Sequence, residues 1–67
     1  MYKHTLYRLD TKYGCGGVRV GQDGYINETC PLYKWMNGKR FREVMTSLKK
    51  SKRLIACHKI AEEFDPF

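Results

Sequence analysis

The stretch Val18-Arg19-Val20-Gly21-Gln22-Asp23-Gly24-Tyr25-Ile26-Asn27-Glu28-Thr29-Cys30-Pro31-Leu32-Tyr33-Lys34-Trp35-Met36-Asn37-Gly38-Lys39 decides the fold of this 67-residue chain. It reads as a strand, a glycine turn, a second strand, a proline-started helical turn and a glycine stop. Asp23-Gly24 is a strong turn dipeptide, because glycine accepts positive φ without steric cost. Two registers are open. A two-residue loop places Arg19 opposite Glu28, a favourable cross-strand charge pair. A three-residue loop, Gln22-Asp23-Gly24, ends in a glycine bulge and places Val20 opposite Ile26, with Val18 and Cys30 on that same face. The second register gathers the apolar residues on one side and is favoured.

Working outward toward the C-terminus, Pro31 suits the first position of a helical turn, where its missing N–H costs nothing. At 3.6 residues per turn Leu32, Trp35 and Met36 share one face, which makes Trp35 a core residue and leaves Tyr33 exposed. Asn37-Gly38 stops the turn, with Gly38 as a left-handed cap. The main helix runs from about Lys39 to Lys50. Its apolar stripe is Phe41, Val44, Met45 and Leu48, at i, i+3, i+4 and i+7. Leu54 to Ile60 reads as a last strand, and residues 62–67 as an acidic, frayed tail.

Toward the N-terminus, Tyr2 to Leu9 is rich in Thr, Tyr and Leu and reads as a strand. Asp10-Thr11-Lys12 is a turn. Gly14-Cys15-Gly16-Gly17 lacks the Lys-Ser/Thr ending of a phosphate loop and precedes a strand, not a helix. It reads as a bulge or sharp bend where backbone packs closely. The element order is therefore strand, strand, strand, helix, strand. A helix must bury its stripe, and the sheet is the only large surface available. The expected fold is α+β: a small, mostly antiparallel sheet with one amphipathic helix packed on one face, residues 1–61 forming a single domain.

A chain this short holds one small core and only a few kcal/mol of stability. The 42% hydrophobic and 13% aromatic fractions exclude a fully disordered chain. No apolar run approaches membrane-spanning length, and Met1 to Arg8 lacks the apolar core of a signal peptide, so the expected location is cytoplasmic. The three cysteines, Cys15, Cys30 and Cys57, are odd in number and far apart in sequence. They are expected to be reduced, with no disulfide and no metal, since no C-x-x-C pair pre-organises a site.

The inventory for catalysis is poor. There is no H-E-x-x-H and no carboxylate pair in an apolar setting. Cys57 and His58 are adjacent, so on a strand they point to opposite faces and cannot act as nucleophile and base. His4 and His58 read as satisfied structural groups. Cys15 among glycines is accessible, but no base and orienter accompany it. No enzymatic activity and no cofactor are expected.

Binding is the remaining class. The formal net charge of +6 favours nucleic acid or an acidic protein surface as a neighbour. Arg42 and Lys49 share one flank of the helix. Lys49, Lys50, Lys52 and Arg53 cluster at its C-terminal end, where the macrodipole favours positive charge and where phosphates or an acidic protein could dock. Arg42, Lys49, Lys50, Lys52, Arg53 and Tyr33 are the expected macromolecule-binding residues.

The run Gly16-Gly17-Val18-Arg19-Val20, then Asp23-Gly24-Tyr25-Ile26, then Cys30-Pro31-Leu32-Tyr33-Lys34-Trp35-Met36-Asn37-Gly38-Lys39, resembles a loosely defined group of small phage and prophage proteins. The resemblance covers roughly Gly16 to Leu48. It implies a phage-type accessory protein, one that occupies a surface of a host protein or protein complex, including defence systems such as CRISPR complexes, and inhibits or redirects it. No residue role follows from it. A small basic nucleic-acid-binding protein is the alternative.

Overall fold

A computed structural model describes residues 2–65. Four strands, β1 (Tyr2–Thr11), β2 (Gly14–Gly21), β3 (Ile26–Thr29) and β4 (Leu54–Asp65), form one antiparallel sheet in the order β3-β2-β1-β4. A 3₁₀ segment (Pro31–Met36) and one α-helix, α1 (Phe41–Lys50), lie between β3 and β4. The fold is thus α+β with an antiparallel sheet. No helix among the described residues is long and apolar enough to cross a membrane.

Strand alternation explains the core. β1 pairs with β2 so that Thr5, Tyr7 and Leu9 face Val20, Val18 and Gly16, and these positions share one side of the sheet. Leu9, Val18, Val20 and Ile26 from the strands, Tyr33 and Met36 from the 3₁₀ segment, and Val44, Met45 and Leu48 from α1 form one buried cluster. Phe41, the first residue of the expected helical stripe, is only half-buried and stacks on Tyr7 with ring centroids 4.4 Å apart.

The hairpin satisfies both candidate registers at once. Val20 lies opposite Ile26, as the apolar pattern requires, and Arg19 lies opposite Glu28, as the charge pattern requires. Both are possible because a bulge between them leaves Asn27 as the extra residue. Asn27 is thereby aimed at His4, with Nδ2 3.1 Å from His4 Nδ1. Gly24 takes φ 87°, and its N–H donates to the Gly21 carbonyl at 2.9 Å.

Several boundaries differ from the sequence reading. β1 runs on to Thr11, so the turn is only Lys12-Tyr13, and Gly14 to Gly17 are regular strand in unbroken register with Thr11 to Arg8. The expected bulge there is absent. The expected close packing is present: a Cβ at Gly16 would collide with Cys30 Sγ and come within 2.9 Å of the Tyr33 ring. Besides the bulge at Asn27, the sheet's irregularities lie in β4, at Ile55 and Ile60, which the β1 register skips.

The acidic end is not a frayed tail over its described length. Glu62, Glu63, Phe64 and Asp65 continue β4 opposite Thr5, His4, Lys3 and Tyr2. Ion pairs hold it there. Lys3 Nζ is 3.0 Å from Glu62, and His4 Nε2 is 2.8 Å from Asp65. Those partners are distant in sequence, so local composition could not reveal them. Residues 66–67 of the expected tail lie outside the described residues.

Candidate macromolecule-binding surface

The segment after β3 is made of 3₁₀ turns, with three residues per turn in place of 3.6 and a kink at Tyr33, whose φ of −108° and ψ of 21° are not helical. Period three puts Tyr33 and Met36 on one side and Leu32 and Trp35 on another. Tyr33 and Met36 are fully buried, while Trp35 is 48% exposed and Leu32 40% exposed. The expectation for this turn is therefore corrected at both rings: Tyr33 is core and Trp35 is surface. A buried Tyr33 cannot contact a partner.

Tyr33 is held by its hydroxyl as well as its ring. The hydroxyl donates to the Gly14 carbonyl, lies 3.3 Å from the Leu9 carbonyl and meets Thr11 Oγ1 at 2.9 Å. Burial pushes its phenol up from the ordinary value. The polar end of the ring is thus satisfied inside the core, between β1, β2 and the 3₁₀ segment.

Trp35 belongs to a band of exposed rings and cations. Tyr13, in the β1–β2 turn, meets Trp35 edge-on with centroids 6.1 Å apart. The Arg53 guanidinium lies over Tyr13 at 5.7 Å. That contact follows from the backbone, since the Lys12 N–H donates to the Arg53 carbonyl at 3.0 Å and ties the helix exit to the β1–β2 turn. On the other side of Trp35, the Arg40 guanidinium lies 5.3 Å from the Tyr25 ring, and Arg40 Nε donates to the Tyr25 hydroxyl at 3.2 Å. That bond pushes the Arg40 guanidinium further up. Between Trp35 and this pair runs an open groove of about 690 Å³. Val44 and Leu48 contribute to its apolar lining, and Lys39, Arg40 and Glu43 line it as well.

The cations expected from sequence are all exposed. The structure brings Arg42 and Lys49 together in one shallow groove with Phe41, Met45, Leu54 and Cys57. Lys50 lies with Arg40, Arg42 and Thr46 on the outer side of α1. Lys52 and Arg53 sit apart from these at the helix exit, and Arg53 joins the aromatic band instead. Sequence reading missed Trp35, Tyr13, Tyr25 and Arg40. The one local signal was the i, i+3 spacing of Tyr33 and Met36, which a three-residue period would have made the buried pair.

Charge is segregated across the molecule. Asp10, Glu28, Glu62, Glu63 and Asp65 all have basic partners within 4.0 Å, drawn from Lys3, His4, Arg8, Arg19, His58 and Lys59. These pairs belong to the sheet. Among the described residues no carboxylate lies within that distance of Lys34, Lys39, Arg40, Arg42, Lys49, Lys50, Lys52 or Arg53. The positive charge of the chain is therefore concentrated around the 3₁₀ segment and α1.

Partial desolvation pushes the Cys57 thiol up, partly opposed by Lys49, although the residue is exposed. Cys57 pairs with Leu9 and His58 with Arg8, on opposite faces of the sheet. Asp10 is held below the usual carboxylate range, chiefly by a hydrogen bond from Cys15, with Arg8 and His58 adding to it. An acid held ionised in this way is a poor proton donor. Among the described residues no group of three His, Cys, Asp or Glu side chains is placed to hold a metal.

No protein-family model matches the chain, and no curated protein and no solved structure matches it.

Proposed function

We propose that this is a non-enzymatic, phage-type accessory protein that binds an acidic surface of a host protein and inhibits or redirects it, in the cytoplasm of the host cell. In this reading α1 lies across the core-bearing face of the sheet. The contact surface is the band Tyr13, Trp35, Tyr25 and Arg40, extended by the cations of α1. The observation that carries the proposal is a half-exposed Trp35 beside an apolar-lined groove, surrounded by cations that have no carboxylate partner. Trp, Tyr and Arg are the residues that dominate binding energy where they meet a complementary pocket or protrusion. The groove's apolar lining suits an apolar side chain of a protein, and Lys39 and Arg40 in the same lining suit carboxylates that flank it. The sequence resemblance to small phage proteins supplies the host as the source of the partner, a defence complex being one such source.

A second reading has its own support. Lys49, Lys50, Lys52 and Arg53 lie beyond Glu43, around the helix exit, and suit phosphates. It makes this chain a basic nucleic-acid-binding protein. One experiment separates the two. The protein is immobilised and exposed to host lysate with and without nuclease, alongside Trp35→Ala and the fourfold reversal of Lys49, Lys50, Lys52 and Arg53 to Glu. A protein partner survives nuclease and dissociates faster from Trp35→Ala. A nucleic-acid partner is lost on nuclease treatment. Its affinity then falls with salt, with a log–log slope of about −0.7 to −0.9 per phosphate contacted, and the reversed variant does not bind.

A further inference from the structure

The two edges of the sheet are treated differently. β3 is four residues long, and the chain itself covers its outer side. The Ile26 N–H donates to the Lys39 carbonyl at 2.8 Å, the Gly38 N–H to the Ile26 carbonyl at 2.7 Å, and the Phe41 N–H to the Gly24 carbonyl at 2.9 Å. β4, at the other edge, is the longest strand, with 12 residues. It pairs with β1 on one side, and among the described residues no strand pairs with its other side. An edge strand with free N–H and C=O groups is a template for another strand. Proteins discourage such pairing with short edges, prolines, edge charges and bulges. β4 has two bulges and charges toward its end, but it is long, has no proline within the strand and exposes apolar side chains. The two bulge positions of β4 carry Ile55 and Ile60, which are 68% and 61% exposed, and Phe64 beyond them is 57% exposed.

Charge along β4 identifies the strand that fits. Lys49, Lys50, Lys52 and Arg53 precede its start, and Glu62, Glu63 and Asp65 mark its end. A parallel neighbour of the same sequence would set like charge against like. An antiparallel one sets the basic start of each strand toward the acidic end of the other, where Glu62, Glu63 and Asp65 stay partly exposed beside their partners within the sheet. It also brings Ile55 of each copy toward Phe64 of the other, with the two Ile60 side chains near the centre. The strand is complementary to itself in charge and in apolar content only about a two-fold axis.

We propose that β4 pairs with β4 of a second copy, antiparallel about a two-fold axis perpendicular to the sheet, joining the two sheets into one. The axis keeps both copies' α1 on the same side, so the dimer presents two basic surfaces in one direction. A partner with two acidic sites would then be held by both, with a gain in avidity. The pairing itself does not depend on what the basic surface binds.

Sedimentation equilibrium of the full chain tests this. Wild type is expected to show twice the 7.9 kDa monomer mass, with dissociation on dilution. Two variants make the test specific. Lys52→Glu with Arg53→Glu makes both ends of β4 acidic. Glu62→Lys with Glu63→Lys makes both ends basic. Each alone is expected to be monomeric, and an equimolar mixture to form a one-to-one dimer, resolved by mass in native mass spectrometry. Wild type that stays monomeric at every concentration overturns the proposal. So do reversed variants that still dimerise alone, or folded variants that do not pair when mixed. Hydrogen exchange on wild type gives a readout free of any folding defect in the variants. β4 amides not bonded to β1 should be slowed as concentration rises, and unchanged protection overturns the pairing.

Discussion

Tyr33 links three parts of the fold through one side chain. Its ring lies in the core, and its hydroxyl reaches Thr11 Oγ1 and the carbonyls of Leu9 and Gly14. Tyr33→Phe keeps the ring and removes the hydroxyl's bonds to Thr11 Oγ1 and to the Leu9 and Gly14 carbonyls, while Thr11, 5% exposed, keeps the Tyr13 N–H. The expected loss is about 1–3 kcal/mol, read from urea unfolding. The same group sets a pH dependence. Its phenol is raised by burial, so the neutral form is the one the fold favours. That stability is fully present below the unfolded tyrosine value of about 10 and is lost as pH rises through the folded value. Melting midpoints measured across the alkaline range should fall in wild type and fall less steeply in Tyr33→Phe. A parallel decline in both would remove Tyr33 from the account. The neighbouring glycines give a sharper contrast. Gly16→Ala drives a methyl into Cys30 Sγ and the Tyr33 ring, whereas at Gly17 the nearest atom to a Cβ is 3.8 Å away. Gly16→Ala should cost about 1–3 kcal/mol by overpacking, and Gly17→Ala should leave the melt nearly unchanged.

At the scale of elements, α1 ends on a device written in an unexpected residue. The Lys52 N–H donates to the Lys49 carbonyl at 3.1 Å and the Arg53 N–H to the Leu48 carbonyl at 2.9 Å, with Lys52 at φ 57°. This is the bonding pattern that normally places glycine in the left-handed position. A lysine there carries a Cβ against its own carbonyl, at a cost of about 1–2 kcal/mol. Lys52→Gly should therefore raise the melting midpoint, less what the unfolded glycine gains in entropy, and Lys52→Val should lower it. If Lys52→Gly melts lower than wild type, the side chain itself contributes to the helix exit.

At the scale of the whole molecule, β1 is the central long strand and β4 closes the sheet along its full length. The last four described residues form four of the β1–β4 pairings and carry the partners of Lys3 and His4. Truncation after Ala61 should lower the melting midpoint by on the order of 10 °C, since about 2 kcal/mol is a large shift for a domain of this size. An unchanged midpoint would return residues 62–65 to the status of a loose tail. Charge segregation is also a whole-molecule property. The sheet's carboxylates are matched by cations, some nearby in sequence, such as Arg8 for Asp10, and some distant, such as Lys3 for Glu62. What remains unmatched is gathered around α1, and it gives the surface its electrostatic preference.

The elements themselves were legible in the sequence because their signals are local. Asp23-Gly24 between alternating apolar residues makes a hairpin. The stripe Phe41, Val44, Met45, Leu48 makes a helix, and a helix after three strands needs a sheet to cover. Even the conflict between the two hairpin registers was written there. Only the sheet could resolve it, by bulging at Asn27 where His4 supplies a partner from β1. The candidate surface was half legible: the cations of α1 could be counted, but the aromatic band could not be placed. Whether Tyr33 or Trp35 is buried depends on three residues per turn against 3.6, and six residues that begin with a proline do not decide that locally. Tertiary structure decided it. The carbonyls of Leu9 and Gly14 and the hydroxyl of Thr11 offer partners suited to a phenol, and the glycine backbone at Gly16 leaves room for its ring. The acidic end was misread for a related reason. A run of Glu and Asp is soluble by itself and becomes a strand only when Lys3 and His4, some sixty residues earlier, are brought alongside it.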